Sequence, residues 1–302
     1  MRYIETYSKL KENKSDTFRQ RMRNMLIEPI SKIYNVLNDA DRLLTTPRIQ
    51  FLYIHHTFKD EEKAFARLLE YLSRHHQFIS HSEAVKRILN EEIDKPYISF
   101  SFDDGLKNNL KAAEILESFG ARGCFFVCPE IVGESDEQKI ADFSKARLHF
   151  PPVEFMTWQE IDGLLEAGHE IGGHTMNHVN LASLNKEEAE DEIRKCYSEI
   201  LSHCGSVKHF AYPYGRFDHF DLKSRKIVFD AGFESCASAE RGCHIADPQS
   251  PKIDYKDLLL RRDHVLLNWS LEQIQFFLLR NIKNASVGNN FFPDYADSDS
   301  HK

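Results

Sequence analysis

From Ile49 onward the chain alternates short apolar runs with longer stretches in which apolar positions recur every three or four residues. The runs "IQFLYI", "QFIS", "PYISFSF", "GCFFV", "HEIGG", "KHFAYPYG" and "FESCAS" read as strands. Between them Phe65, Leu68, Leu69 and Leu72 share one helical face. A second helix follows Gly105, with Leu106, Leu110, Ala113, Leu116 and Phe119 in helical register and Gly120 as its stop. Segment 81–90, "WQEIDGLLEAG", "KEEAEDEIRKCYSEILSH" and segment 221–231 continue the series. Strands alternating with helices of about 10–18 residues predict βαβ units and an α/β fold with a parallel sheet, either doubly wound or closed into a barrel.

The same patterning divides the chain into three parts. Residues 1–45 read as a polar helix followed by the more amphipathic "LIEPISKIYNVLNDADRLL", a helical extension without a catalytic pattern. Residues 46–285 form the main domain, and residues 286–302 read as a mobile tail. The stretch between Val127 and Trp158 is longer than a usual βα connection and is expected to form a lid or a substrate-side loop. The sequence contains no internal repeat.

Composition narrows the class. The chain has 302 residues, 41% of them hydrophobic and 28% charged, which is ordinary for a globular protein. A net charge of −8 without a dense basic block argues against nucleic acid as the main partner. The first 25 residues scatter charges and lack an apolar core of signal-peptide length, and no window approaches the roughly 18 apolar residues of a membrane span. The expectation is therefore a cytoplasmic protein with reduced thiols, soluble or peripheral at the cytosolic membrane face. Cys124 and Cys128 could form a CxxxC metal pair, but Cys124 lies within "CFFV" and reads better as a buried strand thiol.

In parallel α/β folds functional groups collect at the carboxyl ends of the strands. Asp103 and Asp104 end "PYISFSF" and precede a helix. They read either as an acidic helix start or as a carboxylate pair stabilised by a divalent cation. "HTMNH" places His174 and His178 at i and i+4, one face of a helix and a separation that suits one small cation. With 15 histidines in the chain, about 0.7 such pairs arise by chance, so the spacing alone is weak. Its place after a strand and a Gly-Gly turn strengthens it. An Asp and two His with an open position form the ligand set of a catalytic zinc-type site. In "AYPYG", Tyr212, Pro213 and Tyr214 read as a turn, or as a groove wall offering a backbone N–H to an oxyanion. His55 and His56 end the first strand and are expected to line the pocket. His169 reads as a structural partner at a strand start, and His75 and His76 close a helix whose dipole favours a cation.

The order "SFDDG", "HTMNH", "AYPYG" and "LRRDHV", together with the opening "FLYIHHTF", resembles the polysaccharide deacetylases, the NodB-homology group of carbohydrate esterases, over about residues 49–282. The resemblance implies a distorted (β/α) barrel and hydrolysis of an N-acetyl group on an amino sugar, assisted by one divalent metal ion. Zinc leads, with cobalt, nickel or manganese as alternatives. It assigns Asp103 as general base, Asp104, His174 and His178 as metal ligands, and the Tyr214 N–H as oxyanion donor. His264, with Asp263 beside it, is the candidate general acid.

Two departures from the family pattern stand out. Ala211 occupies the position, two residues before the proline, where the family usually carries an arginine that orients the base. The tryptophan-bearing motif is absent from "GFESCASAERG". Arg262 is the remaining cation that could hold Asp103 or the substrate. The implied substrate is an acetylated amino sugar, reached from the cytosol as a nucleotide- or lipid-linked intermediate of surface polysaccharide synthesis. The alternatives are a deacetylase-like carbohydrate-binding protein with impaired catalysis, and an O-acetyl esterase on the same scaffold.

Overall fold

The computed structural model describes residues 3–12, 18–246 and 252–293. Nine strands form one sheet: β1 (Arg48–Ile54), β2 (Gln77–Phe78), β3 (Pro96–Phe102), β4 (Gly123–Val127), β5 (Glu170–Gly173), β6 (His209–Ala211), β7 (Ser235–Ala237), β8 (Leu259–Leu260) and β9 (Arg262–His264). Their order is β8-β7-β6-β5-β4-β3-β1-β9, and every pairing along it is parallel. β2 pairs with Tyr97 and Ile98 at the start of β3, and β4 takes over at Phe100. β8 and β9 follow one another across Arg261, pairing with β7 on one side and β1 on the other. One stretch of chain therefore joins the two ends of the sheet and closes it into a nearly complete barrel of parallel strands with surrounding helices.

Strand parity decides what enters the barrel, because successive side chains point to opposite faces. Ile49, Phe51, Tyr97, Cys124, Phe126, Ala211, Ala237 and Leu260 form the buried interior cluster. The alternate positions, including Leu52, Phe100, Phe102, Phe125, Phe210 and Leu259, pack outward with helix residues such as Phe65, Leu116, Ile193 and Val228. Burying each of these large side chains stabilises the fold by about 1.5–3 kcal/mol. Truncating Phe125, stacked on Phe102 with ring centroids 4.8 Å apart, would cost about 3–5 kcal/mol. Caps fix the helix starts. Asn185 accepts from the Glu188 N–H and Glu188 from the Asn185 N–H, and that helix, Lys186–Cys204, stops at Gly205 with φ 71°.

Several sequence expectations change. The strand expected over "KHFAYPYG" ends at Ala211. His174 and His178 lie on a turn after β5, not on a helix; Thr175 and His178 take φ of 61° and 50° there. His76 is not a helix-end cation: burial, then the adjacent Arg48, pushes its pKa down to about 3, and its Nε2 lies 2.6 Å from the Arg48 guanidinium. The expected tail is packed up to residue 293: Phe292 is buried against Phe220, and the Asn290 side chain bonds His244. Residues 294–302 lie outside the described residues. Segment 128–157 holds a helix, Glu137–Phe143, and then a π-turn, Ser144–Leu148, that reaches back over the barrel mouth. All six cysteines are free; Cys124 and Cys128 are buried, and the Cys128 thiol donates to the His174 carbonyl at 3.1 Å.

Candidate metal centre and active site

The barrel's inward parity continues to the strand ends and past them. His55 follows Tyr53, Asp103 follows Ser101, His174 follows Gly172, and His264 follows Arg262, each two positions on and on the same face. Four separate strands thus deliver four polar groups to one mouth.

Asp104, His174 and His178 come together there, their candidate ligand atoms all within 4.8 Å of one another. Asp104 Oδ1 lies 3.4 Å from His174 Nε2 and 3.3 Å from His178 Nε2. That oxygen is buried and has no hydrogen-bond partner among the described residues. Buried polar atoms are normally satisfied, so a convergent, unsatisfied oxygen fits a cation. His174 Nδ1 donates to the Ala211 carbonyl at 2.6 Å, which leaves Nε2 as the free lone pair. Burial raises the Asp104 pKa, but His174 and His178 outweigh it and hold the carboxyl well below its usual range. The donor set is one carboxylate and two imidazoles, which suits zinc and its neighbours.

Backbone strain concentrates at the same place. Asp104, His149, Thr175, His178 and Tyr214 all take positive φ, between 50° and 75°, and with Asp39 and Glu91 make up the described non-glycine residues that do. Such conformations are costly, and they aim side chains that ordinary turns would leave elsewhere. Gly215, φ 65°, is required after Tyr214, since a Cβ there would lie 2.3 Å from that of Ala239.

Asp103 is buried beside the cluster and gripped by Arg262. The guanidinium donates to its two oxygens at 2.7 and 2.9 Å, and also to Ser101 Oγ and the Ser238 carbonyl. It lies between the rings of Tyr53 and Phe126, at 4.6 and 5.1 Å. Burial alone would raise the Asp103 pKa; Arg262 and then His174 reverse this, so the carboxyl stays ionised. Arg262 is itself buried and is no part of the cavity wall, so it holds Asp103 and not the substrate. Its grip on Asp103 comes from β9, whereas Ala211 lies on β6.

A cavity of about 340 Å³ opens over this floor. His55, His56, Asp104, His178, Tyr214 and His264 line it. His55 Nδ1 and His264 Nε2 are 3.1 Å apart, and the His264 ring stacks on Tyr53. Burial, then His55 and Arg241, keep the His264 pKa well below normal, so His264 is neutral at rest. Asp263 does not face His264: its parity is outward, and it accepts from Asn281 at 2.6 Å. Tyr212 and Pro213 are not groove walls. Ala211 points inward, so Tyr212 points outward, where it is buried and stacked on Phe220; Pro213 is buried as well. Tyr214 alone of the three reaches the cavity, its hydroxyl donating to the Arg147 carbonyl at 3.1 Å. His169 accepts from the Gly123 N–H at the start of β4, away from the cavity.

Of the other walls, one lies in the long stretch between Val127 and Trp158 that was expected as a lid or substrate-side loop, and one comes from the amino-terminal extension, which carried no catalytic pattern. Tyr7 and Leu10 of the helix Tyr7–Glu12 close one side, and Leu148, His149 and Phe150 another. The amino-terminal segment is strapped down by Ile4 N–H to the Pro152 carbonyl and by Asp60 accepting from Tyr7 and Ser8. Phe58 and Glu61 complete the rim. Nothing local marks these residues, because the contacts join segments 50 or more positions apart.

A parallel barrel bearing an Asp-His-His cluster and a clamped second carboxylate at its strand ends defines the class of metal-assisted hydrolases. Residues 90–235 match the family model of the polysaccharide deacetylases. The chain is 28% identical over 134 residues to a peptidoglycan-N-acetylglucosamine deacetylase of Bacillus cereus, covering 43% of this chain and 40% of the relative. It is 32% identical over 123 residues to a chitooligosaccharide deacetylase of Azorhizobium caulinodans, covering 39% of this chain and 48% of the relative. The chain thus spans less than half the length of these two relatives. The fold is similar to that of IcaB from Ammonifex degensii, with a TM-score of 0.59 and 18% identity over 78% of this chain and 98% of the other. It is also similar to the deacetylase PplD of Streptococcus pyogenes, with a TM-score of 0.58 and 18% identity over 78% and 99% of the two chains.

Proposed function

We propose that the protein is a metal-dependent hydrolase that removes the N-acetyl group of an amino sugar. The observation that carries this reading is the pairing of two different carboxylates: Asp104 converging with two histidines, and Asp103 held apart by Arg262. Asp104, His174 and His178 would hold one divalent ion, zinc first. When bound, that ion supplies Lewis acidity for the acetyl carbonyl and lowers the pKa of water.

The chain's own residues supply the rest. Asp103, ionised and unable to rotate within its two-point clamp, accepts the proton of the attacking water. The Tyr214 N–H, fixed by its left-handed turn, donates to the oxyanion. The amine must leave protonated. His264 is neutral at rest; it receives the proton that Asp103 took from water, which returns Asp103 to the carboxylate, and delivers it to the leaving nitrogen. His55, 3.1 Å away, orients the His264 ring.

The cavity's volume lies near the lower end of ligand pockets, about 300–1,000 Å³. Tyr7, Leu10 and Phe150 wall the cavity in on two sides. That supports a nucleotide- or lipid-linked amino sugar over the interior of a long polymer. The test is an acetate-release screen over nucleotide-linked, lipid-linked and oligomeric N-acetylated sugars. Release from none of them would sink the reading.

A second reading has one observation in its favour. His264 is stacked on Tyr53 and its Nε2 faces His55 at 3.1 Å, with no carboxylate bonded to its ring among the described residues. An ester's alkoxide leaves more readily than an amine and needs less from such an acid, so an O-acetyl esterase on the same scaffold is the alternative. The reading as a catalytically impaired binding protein rested on Ala211 and on the unassigned general acid; for the first, Arg262 offers Asp103 a guanidinium that position 211 lacks.

A further inference from the structure

The helix Phe18–Leu37 packs against the helix Leu271–Lys283 in an unusual sense. The face it turns toward the protein carries Ser31 and Asn35, both buried, with the Asn35 amide donating to the Glu272 carbonyl and to Gln275 Oε1. The side it turns to solvent carries the Glu28–Lys32 ion pair and, beside it, an apolar stripe. Leu26, Ile30, Ile33 and Leu37 recur at i, i+4, i+7 and i+11, a single stripe, and Val36 flanks it. They are 46, 50, 60, 77 and 82% exposed for Leu26, Ile30, Ile33, Leu37 and Val36 in turn. Scattered exposed apolar residues need no explanation, but five on one helical face do.

Charge says what covers them. Residues 1–37 contain eight Lys and Arg against four Asp and Glu, a net charge of +4, whereas the whole chain carries −8. A second copy meeting the stripe across a two-fold axis would bring two such positive segments together. An anionic lipid surface is complementary to both the charge and the apolar stripe. Among the described residues no helix is long and apolar enough to cross a membrane, so this one would lie in the interface plane.

We propose that the helix Phe18–Leu37 docks the protein on an anionic lipid surface through Leu26, Ile30, Ile33, Val36 and Leu37. The docked helix neighbours the cavity. The helix Tyr7–Glu12 before it supplies Tyr7 and Leu10 to the cavity wall, and its packing partner begins at Leu271, just after the lining residues Leu267 and Asn268. Combined with the function proposed above, this places the site where a lipid-anchored amino sugar would be presented.

The test is co-sedimentation of the full chain with vesicles, which needs no enzymatic activity. Binding to phosphatidylcholine vesicles containing about 30% phosphatidylglycerol should exceed binding to phosphatidylcholine alone by at least about tenfold, and should weaken with salt. The double variant Ile33→Asp/Leu37→Asp should lose that binding while releasing acetate from a soluble N-acetylated sugar as the unaltered protein does. Leu222→Asp, at an exposed leucine on another helix, should bind as before. The proposal is overturned if the double variant binds vesicles normally, or if the unaltered protein binds neither composition. It is equally overturned if the stripe proves to hold a dimer that the double variant splits. Vesicle binding without acetate release would count against the proposed reaction alone.

Discussion

Arg262 and Asp103 meet through two parallel hydrogen bonds, at 2.7 and 2.9 Å, between β9 and the end of β3, two strands separated by β1. Both partners are buried, so the pair is a fixed unit in which each charge depends on the other. Arg262→Ala would strand a buried carboxylate, costing about 3–5 kcal/mol of stability, and would lower kcat on the order of 100-fold through the loosened base. Arg262→Lys should recover little, because a point charge cannot make the two-point grip.

The clamp can be moved. Ala211 sits in the interior cluster with Phe126, the ring on which the Arg262 guanidinium lies. Ala211→Arg alone overpacks that space, costing about 1–3 kcal/mol. In Arg262→Ala the new arginine has room, so Ala211→Arg/Arg262→Ala should regain part of the lost kcat. A double variant no better than Arg262→Ala would show that the two positions do not serve the same carboxylate.

His264 separates amide from ester chemistry. His264→Ala should slow release from an N-acetyl substrate by about 100-fold or more, the usual scale of a general acid. Release from an O-acetyl analogue should stay within about tenfold of the unaltered rate. Equal losses on both would remove His264 from the protonation step.

The Tyr214 hydroxyl and the Tyr214 N–H have separate jobs. The hydroxyl ties the loop at Arg147 to the cavity rim, a bond worth about 1 kcal/mol. Tyr214→Phe should therefore raise KM about fivefold and leave kcat nearly unchanged.

How much of this was legible in the sequence follows from the range of each interaction. β3 and β4 match the apolar runs "PYISFSF" and "GCFFV", since buried parallel strands are apolar on both faces. Strand parity, once the strands were placed, would have turned Tyr212 outward and Arg262 inward. That step needed the end of β6 at Ala211, which the apolar run through Tyr212 concealed. The histidine spacing suggested a helix, but Thr175 and His178 adopt left-handed conformations that spacing does not encode. The wall at Phe150 falls in the long 127–158 stretch already expected over the substrate, whereas the wall from Tyr7 and Leu10 was invisible because it depends on closure between distant segments.

Glu61 gives the protein a stability response to pH. Burial at the cavity rim raises its pKa from 4.5 to about 7. A carboxyl raised in the folded state leaves stability intact below pH 4.5 and costs stability as pH climbs through 7, where the folded protein must ionise it. Partial access through the cavity mouth trims the cost to about 1 kcal/mol. Glu61→Gln should therefore raise Tm at pH 8 by about 2–4 °C and leave it unchanged at pH 4. Parallel Tm curves for the two proteins across that range would contradict the assignment.

The most direct test is metal content measured beside acetate release, on the unaltered protein and on His178→Ala. The unaltered protein should hold about one divalent ion per chain, lose acetate release when that ion is removed by a chelator, and regain it with added zinc or cobalt. His178→Ala should lose the bound ion and the acetate release together. Full acetate release from metal-free protein, or from His178→Ala, would contradict the assignment of Asp104, His174 and His178 as a catalytic metal centre.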